Sequence, residues 1–387
     1  MRVRTLWISG FSSFEKVQWA PGSLNVLIGP NGSGKSNLLR ALDLIRASAA
    51  GNLRDFVLSR GGLPRLLWGG RARWIQFETT AAPDQASALD QAYILRVEPA
   101  AGSAGFAVTY ELVEFRGPSL EAVPPRLRRC GDELTIRDDN ENVAGGSAQH
   151  LPATETALSM VSALWSNTIP YQLQQQLKAW NIHQDLQVGE DAPIRRSAVA
   201  RRETRISPNG QNLIPVLTTL YEGDFKDAID SGMSAAFPDD YGELIFRETE
   251  PNRIQLYIRR KHGNREDSAA DLSDGTLRFL VLVAILATPD PPPLIAIDEP
   301  EAGLHPSMLP IIAEFAAEAA TRTQVILSTH SPQMLDAFGD TLPATTIFEW
   351  AGDHTELKTI TGDKLKKWVQ EYSLGRFMFS GEAAAVL

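Results

Sequence analysis

The chain has 387 residues, of which 43% are hydrophobic and 22% charged, and a net charge of −10. That balance suits a globular chain long enough for one large or two ordinary domains, with an acidic surface that has no general attraction for nucleic acid. No apolar run reaches the roughly 18–20 residues of a membrane helix. The first residues lack the pattern of an export signal, and the single cysteine, Cys130, excludes an internal disulfide and a cysteine-clustered zinc site, so a cytoplasmic location without a membrane partner is expected.

In chain order, Arg2–Ser9 and Leu24–Ile28 read as short buried strands. Lys35–Ala50 reads as an amphipathic helix with Leu38, Leu39, Leu42 and Ile45 on one face. Gly51–Leu67 predicts further short helix. From Ala72 to about Val143, apolar alternation separated by Gly, Pro and Asp predicts an antiparallel sheet. Thr154–Leu186 reads as helical, and Ala192–Asn212, polar and without a period, as a loop or mobile segment. Leu213–Ala236 predicts a helix pair, and Leu244–Glu248 with Ile254–Arg259 a hairpin. Helix and strand then alternate: Gly275–Ala287, Leu294–Ile297, Ser307–Ala320, Gln324–Ser328, Pro332–Phe338 and Thr345–Trp350. Alternation of this kind marks a parallel sheet covered by helices. A last strand pair, a helix at Asp363–Tyr372 and a tail complete the expectation.

Three segments carry chemistry. Gly29-Pro30-Asn31-Gly32-Ser33-Gly34-Lys35-Ser36 fits the phosphate-loop pattern between a strand and a helix. Glycines there let successive N–H groups turn toward phosphate oxygens, and the helix start adds its positive end. Lys35 is expected to reach the β- and γ-phosphates of ATP and Ser36 to ligate Mg²⁺, with Asn37 following in the same turn. Leu294–Ile297 is an apolar strand ending in Asp298 and Glu299. Such a strand delivers its acids to the carboxyl edge of a parallel sheet, where ligands bind. Asp298 is expected to hold Mg²⁺ and Glu299 to act as general base toward water. His330 follows the strand Gln324–Ser328 and is expected to contact the γ-phosphate and orient water. Ser273 and Gly275, in Asp271-Leu272-Ser273-Asp274-Gly275-Thr276, open a helix; alone they read as an ordinary N-cap.

The order phosphate loop, Leu-Ser-x-Gly-Thr, apolar strand ending Asp-Glu-Pro-Glu-x-Gly-Leu-His-Pro, then Ser-Thr-His-Ser-Pro resembles the ABC-type ATPase heads of SMC proteins, RecF and OLD-like proteins. The likeness is greatest to the stand-alone AAA family ATPases of that clade, which begin like Gly10-Phe11-Ser12-Ser13-Phe14. It spans nearly the whole chain, with the middle third matching loosely.

The resemblance implies an α/β P-loop NTPase head with a parallel core sheet, an antiparallel β subdomain and a helical insertion. It implies ATP and Mg²⁺ as cofactors, and a homodimer with composite ATP sites. Gly29, Asn31, Gly32, Ser33, Gly34, Lys35, Ser36 and Asn37, with Asp298, Glu299 and His330 of one copy, would face Ser273 and Gly275 of the other. Ala302-Gly303-Leu304-His305 would cross the interface as the D-loop. Two departures stand out. Ser12 occupies a position where relatives often carry a basic residue. No Gln lies at Thr154–Met160 to complete the Mg²⁺ shell, Gln76 and Gln172 being poor substitutes.

One composite head is expected: 1–150 as the phosphate-loop part with the antiparallel sheet, 151–240 as a mostly helical insertion, and 241–387 as the part with the signature, acidic strand and histidine. Five arginines between Arg195 and Arg205, with Arg126–Arg129 and Arg259–Arg265, offer DNA or RNA contact or a solvated loop. No long heptad arm and no paired-acid nuclease pattern appears after His330, so a nuclease would be supplied in trans. The expected activity is an ATPase that switches an effector or nucleic acid, in genome maintenance or antiphage defence. The rivals are an ATP-dependent scaffold with little hydrolysis and the energising subunit of an ABC transporter.

Overall fold

The computed structural model describes residues 2–82, 89–101, 105–116, 124–137, 143–147, 151–161, 168–262, 265–339 and 341–360. They divide into two compact units. One comprises the residues up to Gly22, Leu27–Trp180 and Ala344–Ile360, the other Ser23–Val26 and Asn181–Pro343. No helix among the described residues is long and apolar enough to cross a membrane.

In the first unit, β1 (Arg2–Phe11) and β2 (Phe14–Trp19) form a hairpin. The strand β3 (Leu24–Ile28) runs from the second unit into the first and leads to the long helix α1 (Lys35–Ala50), followed by the short helices α2 (Leu53–Ser59) and α3 (Leu63–Leu66). Next come β4 (Ile75–Ala82), β5 (Asp90–Pro99), β6 (Phe106–Arg116), β7 (Leu127–Cys130), β8 (Glu133–Arg137) and β9 (Val143–Ser147). They extend the hairpin into an eight-stranded antiparallel sheet of order β2-β1-β4-β5-β6-β7-β8-β9. Alternating burial along β4 leaves Ile75, Phe77, Thr79 and Ala81 on the covered face, as a one-sided antiparallel sheet requires.

The helix expected over Thr154–Leu186 is broken. A single turn at Leu158–Met160 precedes α4 (Ile169–Lys178), and Asn181–His183 is the strand β10. Pro170 at the start of α4 sets that helix boundary, and Ile182 and His183 are buried where β10 pairs parallel with the acidic strand. The period of 3.6 therefore stops at Lys178.

The second unit continues with the two-residue strand β11 (Ala198–Val199), the helix pair α5 (Leu213–Glu222) and α6 (Lys226–Ala236), the hairpin β12 (Tyr241–Glu250) and β13 (Arg253–Arg260), and β14 (Glu266–Ser268). The apolar helix α7 (Asp274–Leu286), β15 (Leu294–Asp298), α8 (Leu309–Arg322), β16 (Gln324–Thr329) and α9 (Pro332–Asp336) follow. β10, β15 and β16 are parallel neighbours, and Ser23 and Asn25 at the start of β3 bond to Val325 of β16 at 2.8 and 3.0 Å. All residues of β16 and Leu294–Ile297 of β15 are buried, the mark of strands covered on both faces. The chain returns to the first unit as the hairpin β17 (Ala344–Trp350) and β18 (Thr355–Ile360). The helix expected at Asp363–Tyr372 lies outside the described residues.

Candidate functional site

The phosphate loop leaves β3 and enters α1 with Gly34 at the cap in a left-handed conformation, φ 108°. Gly34 is tightly enclosed: a Cβ there would lie 2.6 Å from Thr355 Oγ1 and 2.7 Å from Ser13 Oγ. Neither oxygen is free to move aside. Thr355 Oγ1 donates to Ser33 O at 2.8 Å, and Ser13 Oγ accepts from Asn37 Nδ2 at 2.9 Å. Thus β18 and the β1–β2 turn brace the loop from behind, and Asn37 pins α1 to that turn. Ser12, in the same turn, has φ 51° and donates its N–H to Leu66 O at 2.7 Å, so it serves the bend.

On the open side, Asn31 and Gly32 are exposed, while Lys35 is buried and folds over its own loop. Its Nζ donates to Gly29 O at 2.6 Å and Pro30 O at 3.0 Å. Ser33 Oγ is buried without a hydrogen-bond partner, a polar group left for a ligand to satisfy. Ser36 is half-buried in the first turn of α1. These residues fit a triphosphate with Mg²⁺: a positive helix end, an ammonium over the loop, a hydroxyl beside it and an orphaned donor.

In the second unit, β15 ends at Asp298, whose carboxylate accepts from Ser328 Oγ on the neighbouring strand. Glu299 follows with φ 48°, a left-handed conformation that a non-glycine residue rarely adopts, held because its N–H reaches Ser328 O at 3.0 Å. Its half-exposed carboxylate meets His330 Nδ1 at 3.1 Å. The two expected reacting groups therefore stand together at the carboxyl edge of the sheet, with Asp298 adjacent in sequence.

Three residues that the sequence left without a role hold this corner. Glu301 Oε1 accepts from Thr329 Oγ1 at 2.5 Å and from the His330 N–H at 3.3 Å, while its Oε2 is buried and unpartnered. Arg278 on α7 donates to Glu299 O at 2.9 Å. Burial pulls its pKa below the usual arginine value, against the opposing charges of Glu301, Glu299 and Asp185. Glu301 and Thr329 stand inside the quoted motifs Asp-Glu-Pro-Glu and Ser-Thr-His, so an assigned motif position was the available signal. Arg278 had none.

Ser273 caps α7 and accepts from Thr276 N at 3.1 Å. Gly275 lies so close to the turn after β15 that a Cβ would sit 2.8 Å from Gly303 O. Of the glutamine substitutes, Gln76 is occupied by Arg96 at 2.7 and 2.9 Å, and Gln172 is exposed on α4. Glu155, within Thr154–Met160, accepts from Leu53 N and Arg54 N.

The arginine-rich stretch needs correction. Arg195 is only 7% exposed and its guanidinium is consumed by internal partners, so it cannot reach a nucleic acid. Arg129 is buried and donates to Glu155 O at 2.7 Å. Arg201 pairs with Glu203, Arg205 with Asp290, Arg259 with Glu243 and Glu266, and Arg260 and Arg265 with Asp267. Arg196 and Arg202 are exposed and have no ion pair among the described residues.

The fold is that of a P-loop ATPase head of the SMC kind, and the comparisons agree. The structure matches an SMC head bound to the C-winged helix domain of ScpA, with a TM-score of 0.59 at 14% identity over 95% of this chain and 100% of that one. It also matches an SMC head with an extended coiled coil, bound to the C-terminal domain of ScpA derived from Pyrococcus furiosus, with a TM-score of 0.56 at 12% identity over 96% and 99%. Residues 24–152 and 176–336 match the family described as "AAA domain, putative AbiEii toxin, Type IV TA system", and the chain belongs to that family. It is 24% identical over 359 residues to an OLD nuclease of Thermus scotoductus, covering 86% of this chain but only 60% of that relative's length. A 53-residue stretch, 14% of this chain and 17% of the relative, is 49% identical to the cytochrome c biogenesis ATP-binding export protein CcmA of Rhodospirillum rubrum. The chain is thus an ATP-binding domain of ATPase type, with the fold of an SMC head and a likeness to an OLD nuclease.

Proposed function

We propose that the chain hydrolyses Mg-ATP at sites completed by a second copy of itself, and that the cycle switches an effector. The observation that carries the reading is the Glu299–His330 pair, 3.1 Å apart at the end of β15 beside Asp298. In this reading Lys35 and the loop amides bind the phosphates, and Ser36 and Asp298 hold Mg²⁺, which supplies charge neutralisation on the phosphate oxygens. Glu299 takes a proton from water, and His330 steadies that carboxylate and orients the water. Ser273 and Gly275 of the second copy close the site. Thr276 can give both its protons to the Ser273 side, leaving the Ser273 hydroxyl proton for a phosphate oxygen.

The chain spans about 60% of the OLD nuclease it resembles, and by that likeness we take the switched effector to be of nuclease type, acting in genome maintenance or antiphage defence in the cytoplasm. Nucleic acid contact through Arg195–Arg205 has lost Arg195 and rests on Arg196 and Arg202. A second reading, a scaffold that binds ATP and dimerises with little turnover, is favoured by the use of Glu155 as a helix anchor in the stretch where the resemblance implies a Mg²⁺-shell glutamine.

Glu299→Gln separates the two readings. Hydrolysis predicts a turnover loss of about 10²–10³-fold with ATP-bound dimers accumulating in size-exclusion chromatography. Unchanged turnover would remove Glu299 from the base role. A parent protein that dimerises with ATP without releasing phosphate would establish the scaffold.

A further inference from the structure

Arg195 ends a single helical turn, Pro193–Arg195, and its side chain enters the interior of the second unit. Nη1 donates to Leu272 O at 2.6 Å, Ala270 O at 3.2 Å and Ala269 O at 3.5 Å, and Nη2 pairs with the Asp274 carboxylate. Nε donates to Gly189 O at 3.0 Å and Val188 O at 3.1 Å. The arginine is itself held, because Gln255 Nε2 donates to its carbonyl at 3.2 Å and its N–H reaches Ala192 O at 3.1 Å. Three carbonyls of one turn converge on a single point, an arrangement that costs free energy unless a cation with several donors occupies it. The turn they belong to is the one that delivers Ser273 to the start of α7. Asp274, in the first turn of α7, would otherwise occupy the positive helix end that an anion needs.

We propose that Arg195 is a positioning residue for the signature turn: it fixes Ala269–Asp274 so that Ser273 and the α7 N-terminus are presented to the phosphate of a neighbouring copy, and it draws the Asp274 charge away from that end. The functional half of this statement rests on the two-copy site; the clamp itself rests on Arg195's own bonds. A lysine cannot replace it, since one ammonium with three donors cannot span carbonyls on both sides of the side chain.

The test uses the full chain. Arg195→Ala is expected to lower kcat at least about tenfold while ATP affinity of the isolated chain stays within about twofold, a split that general loss of folding would not give. Mixed with Lys35→Ala, it is expected to regain turnover, because its intact phosphate loop then faces an undamaged signature. Ser273→Arg mixed with Lys35→Ala is the control. Recovery in the control but not with Arg195→Ala overturns the clamp's role. Recovery in neither pair removes the two-copy site, and hydrogen exchange then decides the clamp. Faster exchange at residues 269–276, with residues 24–36 unchanged, supports it; unchanged exchange at 269–276 overturns it. Turnover in Arg195→Ala equal to that of the parent would also overturn it.

Discussion

At the phosphate loop the main chain is the proposed binding surface, and side chains work from behind: Thr355 and Ser13 enclose Gly34, and Asn37 ties α1 to the same brace. At the end of β15 the order is reversed. Side chains of Glu299 and His330 are half-exposed beside Asp298, and the neighbours Ser328, Thr329, Glu301 and Arg278 fix a strained main chain. The first arrangement tolerates almost no change of shape at Gly34, because its enclosure leaves no room for a side chain. The second tolerates changes of shape but not of charge or hydrogen bonding. Substitutions that separate shape from chemistry should therefore act in opposite ways at the two places.

The largest expected effect is Gly34→Ala. The new Cβ would lie within 2.7 Å of two hydroxyl oxygens that are already hydrogen-bonded, at φ 108°. A loss of about 3 kcal/mol or more in stability, with no measurable ATP binding, is expected from urea denaturation and equilibrium binding. Gly32→Ala is the contrast. It has φ 80° but nothing within 4 Å of its Cβ, so about 1–2 kcal/mol of backbone strain is expected. Equal effects at the two glycines would break the distinction between an enclosed and an open face.

The far end of α1 is held by a second brace whose strength should depend on pH. Thr156 Oγ1 donates to Ser48 O at 2.7 Å, and the turn that follows gives the N–H groups of Ala157 and Leu158 to the buried Glu111 at 2.6 and 2.9 Å. Burial pushes Glu111 up to about 7, against the pull of Leu158 N, Ala157 N, Tyr93 and Arg129. A carboxyl whose folded pKa is raised binds its proton more tightly folded than unfolded. Its contribution is complete below the unfolded value near 4.5 and is lost as pH rises through about 7. Stability is expected to fall by up to about 3 kcal/mol across that window. Glu111→Gln should flatten the slope in urea denaturation between pH 5 and 8, and an equal slope in both proteins would assign the pH dependence elsewhere.

What could be read from the sequence follows the same division. β3, α1, α7 and β15–β16 were legible because the phosphate loop and the acidic strand end depend on local patterns, glycine spacing and apolar runs. The hairpin strand β2 carried too little alternation, and β10 was hidden inside a helical period that Pro170 and the pairing of Ile182 with Ala296 override. Thr355 lies 322 positions from the Ser33 carbonyl it holds, and no local pattern announces that bond. Arg195 was misread for a related reason. Its composition suggested a solvated basic cluster, while its partners Ala269–Asp274 lie more than seventy positions away.

A middle-sized effect is expected at Glu301. Glu301→Ala removes the acceptor for Thr329 Oγ1 and His330 N, leaving His330 to turn away from Glu299. About 1–3 kcal/mol of stability and about tenfold in turnover should be lost. Glu301→Gln keeps one acceptor and should recover most of the turnover. Equal loss in both variants would show that the negative charge, rather than the bond to the histidine loop, is what matters there.

The smallest expected effect falls on the brace of the phosphate loop. Thr355→Val keeps the shape beside Gly34 but removes the 2.8 Å bond to Ser33 O. One lost buried bond of this kind costs about 1 kcal/mol, so ATP affinity should weaken by about threefold to tenfold with little change in kcat. Thr355→Ser, which keeps the hydroxyl and deletes the methyl, should leave affinity near that of the parent. The opposite ranking would mean that the loop is held by the packing of the Thr355 methyl group against Gly34, and the brace would then be one of shape alone.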